Sequence, residues 1–96
     1  MAKYIALINW TEKGIMEAKD APARIDKARA LAKKLGGDFQ QVYMTMGVYD
    51  LVVILEMPDD ETMAKFALAS AAGGHIRSTT LKAFEEASFR EIIGTL

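Results

Sequence analysis

The chain has 96 residues, 51% of them hydrophobic, and its 12 lysines and arginines nearly balance its 13 aspartates and glutamates, giving a formal net charge of -1. A chain of this length holds one domain, residues 1-96, because two cores would each be too small to stand alone. The balanced charge argues against nucleic acid as a partner, and the absence of cysteine excludes disulfides and cysteine-ligated metals.

A strand and then a helix are predicted for the first third of the chain. The run from Lys3 to Trp10 predicts a strand, with Tyr4, Ala6, Ile8 and Trp10 on one side and Ile5 and Leu7 on the other. Thr11 predicts the N-cap of a helix, and Asp20-Ala21-Pro22 restarts it, since proline is tolerated in a first helical turn. Apolar residues then recur every three or four positions until Gly36-Gly37 ends the helix.

A hairpin is predicted in mid-chain. Gly47-Val48-Tyr49-Asp50 separates two strand-like runs, Phe39 to Met46 and Leu51 to Met57. Glycine and Asx residues tolerate backbone angles that other residues resist, so this segment predicts a turn between two antiparallel strands.

A second helix, a fourth strand and a short helical tail complete the predicted elements. Pro58-Asp59-Asp60 opens the helix with acids that complement its dipole, and Gly73-Gly74 closes it. The face that this helix buries is predicted to carry Met63, Phe66, Ala67 and Ser70. The segment from Ile76 to Phe84 is rich in β-branched residues and predicts a strand. From Glu85 to Leu96 we expect a helix with Phe89, Ile92 and Ile93 on one side.

The predicted order is β-α-β-β-α-β plus the tail. This order is the split βαβ, ferredoxin-like arrangement of the α+β class, with a four-stranded antiparallel sheet that carries both helices on one face.

The uncovered sheet face predicts a homodimer. Leu51-Val52-Val53-Ile54-Leu55 is apolar on both faces, whereas a monomer would show polar residues on the face away from the helices. We expect a second copy to cover this face, sheet against sheet, as a homodimer or a higher homo-oligomer. The alternative is that the helical tail folds back over the same face.

The ordered set of these residues resembles the GYD-domain family along nearly the whole chain. The resemblance is carried by Trp10-Thr11, Gly14-Ile15, Arg24, Gly36-Gly37, Gly47-Val48-Tyr49-Asp50, Glu56, Pro58-Asp59-Asp60, Arg77 and Thr80-Leu81-Lys82-Ala83-Phe84. Val48 interrupts the Gly-Tyr-Asp tripeptide, at a position where family members commonly carry a variable residue. The resemblance implies the dimeric α+β barrel group. That group includes cofactor-free monooxygenases, isomerases, haem-degrading and haem-peroxidase enzymes and ligand-sensing modules, so it selects no function.

His75 is the only imidazole in the chain. In relatives of this fold a histidine can ligate haem, which is the functional interpretation of His75. One histidine without cysteine cannot form an ordinary zinc site, and we expect no metal or cofactor. The alternative for His75 is a solvent-facing residue at a strand start.

Arg24 and Glu56 are charged residues within apolar patterns. Arg24 falls inside the apolar arc of the first helix, so it must reach solvent or meet an acid such as Asp50 or Glu56. It forms either a structural ion pair or a clamp for a carboxylate or phosphate. Glu56 interrupts an apolar strand and either acts as a general acid or base, pairs with Lys82 or Arg77, or emerges at the strand end next to Pro58.

Three function hypotheses follow. The first is a binding protein for a small molecule, held between sheet and helices or between subunits. The second is an enzyme of the cofactor-free monooxygenase type, or less favoured a haem-binding one, and the third is an oligomerisation module without a pocket. The candidate ligand-binding residues are Trp10, Arg24, Tyr43, Tyr49, Asp50, Glu56, His75 and Arg77. Without an apolar run of 18 residues or a signal peptide, we expect a cytoplasmic protein with no membrane partner.

Overall fold

Four strands form a single antiparallel sheet in the computed structural model, which describes residues 1–96. They are β1 (Ala2–Trp10), β2 (Asp38–Met44), β3 (Leu51–Met57) and β4 (Ile76–Ala83), in the spatial order β2-β3-β1-β4. Helical connections follow β1 and β3. This order is that of the ferredoxin-like fold and confirms the predicted α+β class.

Four helices and a short 3-10 turn accompany the sheet. The helices are α1 (Glu12–Met16), α2 (Ala21–Lys34), α3 (Asp60–Ala71) and α4 (Glu86–Gly94), and the turn is Ala18–Asp20. The Thr11 hydroxyl caps α1 by accepting the Gly14 N–H. The Asp59 carboxylate caps α3 by accepting the Thr62 N–H at 2.8 Å. No helix has both the length and the apolar character that crossing a membrane requires.

The core lies between the sheet and the helices α2 and α3. Alternate residues of the two central strands point into it, and Leu55 and Met57 are fully buried. Phe66 of α3 meets Phe39 of β2 edge to face, with 6.3 Å between the ring centroids. Only 12 of the 96 residues are buried, so much of the apolar surface of this chain remains outside the core.

The other sheet face, here called the open face, is apolar at its centre. Ile5 stands opposite both Ile54 and Leu81, and Leu7 stands opposite Val52. Residues directly opposite in neighbouring strands share a face, so these side chains form one cluster. They are half-buried or, for Leu81, 43% exposed. The central strands therefore present apolar residues on both faces, as the sequence indicates.

The helix α4 does not cover the open face. Every residue from Glu86 to Leu96 is exposed, and the apolar side of α4 faces solvent, with Phe89 at 54%, Ile92 at 47% and Ile93 at 50% exposure. The alternative in which the tail folds back over the sheet is therefore wrong for this protein. A nine-residue helix needs a packing surface to be stable, and α4 has none within its own chain.

The hairpin between β2 and β3 has a longer loop than the sequence indicates. The strand β2 ends at Met44, two residues before the predicted end, and Thr45 instead donates its N–H to the carbonyl of Asp50 at 2.8 Å. Gly47 has a φ of +122°, a conformation that favours glycine. The antiparallel pair itself is present as predicted.

Candidate functional site

A cavity of about 350 Å³ lies between the sheet and the helices α2 and α3. Thirteen of its eighteen lining residues are hydrophobic. The sheet contributes Ala6, Ile8 and Val53, and α2 contributes Ile25, Ala28 and Leu31. The remaining five lining residues are Arg24, Lys27, Ser70, Gly73 and His75, so the polar groups are few and all basic or neutral.

Small side chains explain why space remains at this place. Ala6 in β1, Ala28 in α2 and Ala69 in α3 line the cavity from three elements. Protein interiors are otherwise packed as densely as organic crystals, so a leucine at these positions would fill the volume that the alanines leave. The cavity therefore exists because three separate elements each place an alanine at its wall.

Arg24 lies at the wall of this cavity, and it pairs with no carboxylate. Its guanidinium donates to two backbone carbonyls, that of Glu17 at 3.0 Å and that of Gly14 at 3.4 Å. No acidic oxygen lies within 4.0 Å of it. The predicted structural ion pair with Asp50 or Glu56 is therefore wrong. The fold of α1 and the turn after it supplies neutral partners instead, which leaves the positive charge uncompensated.

His75 also lines the cavity, and it is not the solvent-facing side chain of the sequence-based alternative. Its side chain is 20% exposed, and its Nε2 lies 3.5 Å from a carboxylate oxygen of Glu17. Its backbone carbonyl accepts the N–H of Thr11 at 3.0 Å, which joins the start of α1 to the start of β4. An imidazole beside a carboxylate is an arrangement that can accept or donate a proton.

Ser70 is the one polar side chain of the cavity with an unsatisfied group. Its Oγ is buried and has no hydrogen-bond partner. Buried hydroxyls are usually paired, so an orphaned one at a cavity wall is a position for a ligand atom. The candidate residues omitted Ser70, although its spacing from Met63 and Phe66 had placed it on the buried face of α3.

Trp10 and Asp50 meet at the end of β1. The side chain of Trp10 lines the cavity, while its backbone N–H donates to the Asp50 carboxylate at 2.9 Å. Asp50 in turn donates its own N–H to the carbonyl of Ile8 at 2.9 Å. Asp50 therefore fixes the hairpin against β1 and does not itself line the cavity.

The other four candidates lie away from the cavity. Tyr43 and Glu56 are on the open face, opposite Val52 and Lys3 respectively, and Arg77 is on the same face opposite Asn9. Tyr49 belongs to the loop of the hairpin, where its carbonyl accepts the hydroxyl of Thr45. The structure thus brings Trp10, Arg24 and His75 together at the cavity and separates the rest of the predicted set.

The expected partner of Glu56 is engaged elsewhere. Lys82 stands opposite Tyr4 and pairs with Asp60 of α3 at 3.1 Å, and no cation lies within 4.0 Å of Glu56. The predicted pairing of Glu56 with Lys82 or Arg77 is therefore wrong. The hydrogen bond from Tyr4 and then the neighbouring Lys82 hold the pKa of Asp60 below its usual value.

Binding of a mainly apolar molecule is the chemistry that this arrangement permits best. The cavity offers a hydroxyl, an imidazole and two cationic side chains against a large apolar wall. The structure brings no three side chains of His, Cys, Asp or Glu together as metal ligands.

The sequence of the chain matches a known protein family. The family model described as the GYD domain matches residues 4–93, which is nearly the whole chain. No curated protein and no solved structure matches it. The match covers β2, β3, β4 and the helices α1 to α3 in full, β1 except its first two residues, and all of α4 but its last residue.

Proposed function

The chain belongs to the GYD-domain family, and we propose that it binds a small molecule in the cavity between the sheet and the helices α2 and α3. The observation that carries this proposal is the cavity itself, an unfilled apolar space with a few converging polar groups. Its volume of about 350 Å³ lies within the range of small-molecule sites. A ligand that binds here withdraws the apolar walls from water, so its binding is expected to stabilise the fold.

Trp10 provides the direct test, because it is the only tryptophan in the chain and it lines the cavity. We expect apolar probes such as 1-octanol to change its fluorescence in a saturable way and to raise the melting temperature. Ala28→Leu fills the cavity and is expected to abolish both effects. Ala30→Leu is the matched control, since Ala30 lies on the same helix, is exposed and does not line the cavity.

Unchanged binding in Ala28→Leu would refute the site. Loss of binding in both alanine variants would show that a leucine on α2 disturbs the helix rather than the cavity.

We further propose that the protein works as a homodimer that packs open face against open face. The apolar cluster around Ile5 and Ile54 supports this arrangement, because an exposed patch of this kind is uncommon in monomers. Four strands of this length present a face of about 450 Å². A stable interface buries about 800 Å² of accessible surface on each partner, so we expect contacts outside the sheet to contribute.

The helix α4 supplies the missing contact area in this proposal. The stripe of Phe89, Ile92 and Ile93 on this helix is exposed and has no partner within its own chain. A dimer formed through the open face would bring a second copy of the chain close enough to cover it. In a closed two-fold dimer each protomer contributes the same surfaces, so both helices are covered at once.

Ile54→Lys tests the assembly, because it places a charge at the centre of the open face. We expect sedimentation equilibrium to show a monomer for this variant and a dimer for the unmodified chain and for Ala64→Lys, which changes an exposed position on α3. A dimer that survives Ile54→Lys would refute the packing through this face.

A proton-transferring, cofactor-free enzyme is the second candidate function, and the contact between His75 and Glu17 favours it. The pair lies at the wall of an apolar cavity, where a base can act on a bound enol or phenol. The variant His75→Gln separates the two functions. If the protein only binds its ligand, the variant keeps the ligand affinity, and neither the unmodified chain nor the variant consumes the ligand. Consumption of the ligand that is lost in His75→Gln would establish the enzyme.

A further inference from the structure

Positive charge without compensating acid surrounds the mouth of the cavity. Arg24 and Lys27 both line it, three residues apart on α2 and therefore on the same side of that helix. Neither cation has a carboxylate oxygen within 4.0 Å. None of the eighteen lining residues is an aspartate or glutamate, although acids slightly outnumber bases in the whole chain.

Glu17 is an acid in this region, and its carboxylate contacts His75 rather than the cations of α2. Its carboxylate lies 3.5 Å from the imidazole Nε2, whereas Arg24 contacts only its backbone carbonyl. The two carbonyl contacts fix the orientation of the guanidinium while leaving its charge unneutralised. A planar guanidinium held in this way is suited to receive a carboxylate through its remaining N–H groups.

From these contacts we infer that the cavity ligand is an organic carboxylic acid with an apolar body, bound with its carboxylate between Arg24 and Lys27. The apolar body lies against Ile8, Ile25 and Leu31, and the buried hydroxyl of Ser70 contacts any polar atom along it. This inference rests on the proposed binding function and adds the charge of the ligand to it. An amine of the same shape is rejected, because the cavity offers it no acidic partner.

Two matched sets of probes test the inference, one with a chain and one with a ring. The first is octanoate, 1-octanol and octylammonium, and the second is 3-phenylpropanoate, 3-phenyl-1-propanol and 3-phenylpropylammonium. Calorimetric titration and Trp10 fluorescence give a dissociation constant for each probe. We expect at least one carboxylate to bind about tenfold or more tightly than its alcohol, and each ammonium probe to bind most weakly within its set.

Lys27→Gln is the decisive variant, because Lys27 makes no hydrogen bond or ion pair whose loss would disturb the fold. It is expected to weaken carboxylate binding severalfold and to leave the alcohol unchanged. Lys34→Gln removes the same charge from the same helix at an exposed position away from the cavity, and is expected to change neither. Arg24→Gln should weaken carboxylate binding further. The melting temperature of this variant shows whether its fold is intact.

The outcomes separate this inference from the proposed function. Equal binding of alcohol and carboxylate, or equal weakening by Lys27→Gln and Lys34→Gln, would refute the anionic ligand while leaving the cavity as an apolar site. Failure of all six probes to bind would refute both.

Discussion

The phenol of Tyr4 in β1 donates a hydrogen bond to the carboxylate of Asp60, the first residue of α3, across 56 positions of sequence. Lys82 of β4 reaches the same carboxylate, because it stands directly opposite Tyr4 in the sheet. Burial and then the contact with Asp60 raise the pKa of Tyr4 to about 12. One carboxylate thus joins the central strand, the edge strand β4 and the helix α3.

Removal of this hydrogen bond should make stability depend less on pH. The ionised form of Asp60 is favoured by folding, since its pKa lies below the ordinary 3.8, so its contribution is present above that pH and is lost as pH falls through the lowered pKa. The neutral form of Tyr4 is favoured as well, and that contribution is lost as pH rises from 10 through about 12. We expect Tyr4→Phe to lower the free energy of unfolding by about 1 kcal/mol at pH 7.

Urea unfolding of both forms between pH 2 and pH 7 measures this effect. The difference between them should shrink toward the acid end. Tyr43→Phe serves as the control, because Tyr43 is 51% exposed and its hydroxyl makes no hydrogen bond. A difference that stays constant down to pH 2 would contradict the role assigned to Asp60.

Gly14 should not tolerate a side chain. A Cβ added there would lie 2.1 Å from the carbonyl oxygen of His75, where α1 approaches the start of β4. The Gly14→Ala variant must move α1 or β4, and we expect a loss of about 2 kcal/mol in the free energy of unfolding. Gly94→Ala is the control, because nothing lies within 4 Å of that position. Equal melting temperatures for the two variants would show that α1 and β4 can move apart without a loss of stability.

The sequence predicts the fold of this chain better than it predicts the site, and particular residues show why. Thr11 and Asp59 each act on a residue three positions away, so their capping of α1 and α3 follows from local chemistry. The partner of Lys82 depends instead on the strand register that places it opposite Tyr4. Arg24 likewise meets carbonyls whose position depends on how α1 packs, which no periodicity in α2 records.

The cavity was beyond prediction for a related reason. Its volume is the difference between the space enclosed by three elements and the side chains that fill it, so Ala6, Ala28 and Ala69 matter only together. The helical spacing of Ser70 indicated a buried face, but nothing in the sequence showed that its hydroxyl would lack a partner.

Ser70→Ala should affect stability and ligand binding in opposite directions. Removing an unpaired buried hydroxyl is expected to raise the free energy of unfolding without ligand by up to about 1 kcal/mol. The affinity for a ligand that hydrogen-bonds to Ser70 should fall. Ser88→Ala, at an exposed position in α4, corrects for the better helix propensity of alanine. Thermal unfolding without ligand and with 8-hydroxyoctanoate, whose terminal hydroxyl can bond to Ser70, measures both quantities, and octanoate serves as the ligand without that hydroxyl. A stability gain no larger than that of Ser88→Ala would contradict the claim that the unpaired hydroxyl of Ser70 lowers stability.

Removal of α4 should weaken the dimer without unfolding the protomer. All of its residues are exposed and contribute nothing to the core, so a chain ended at Glu85 should keep its circular dichroism spectrum apart from one short helix. We expect its dimer dissociation constant to rise about tenfold or more, measured by sedimentation equilibrium. Phe89→Ser should reproduce much of this effect, and Glu91→Ala on the opposite side of α4 should not. An unchanged dissociation constant in the shortened chain would remove α4 from the interface.

The place of β1 in the sheet also determines when this protein can fold during its synthesis. Ile5, near the start of the chain, needs Ile54 on one side and Leu81 on the other before its strand is complete. Most of the chain must therefore leave the ribosome before β1 has both of its neighbouring strands. Until then the apolar side of α2 stays uncovered. Such long-range pairing slows folding, and it keeps the apolar segments of the nascent first half exposed for longer.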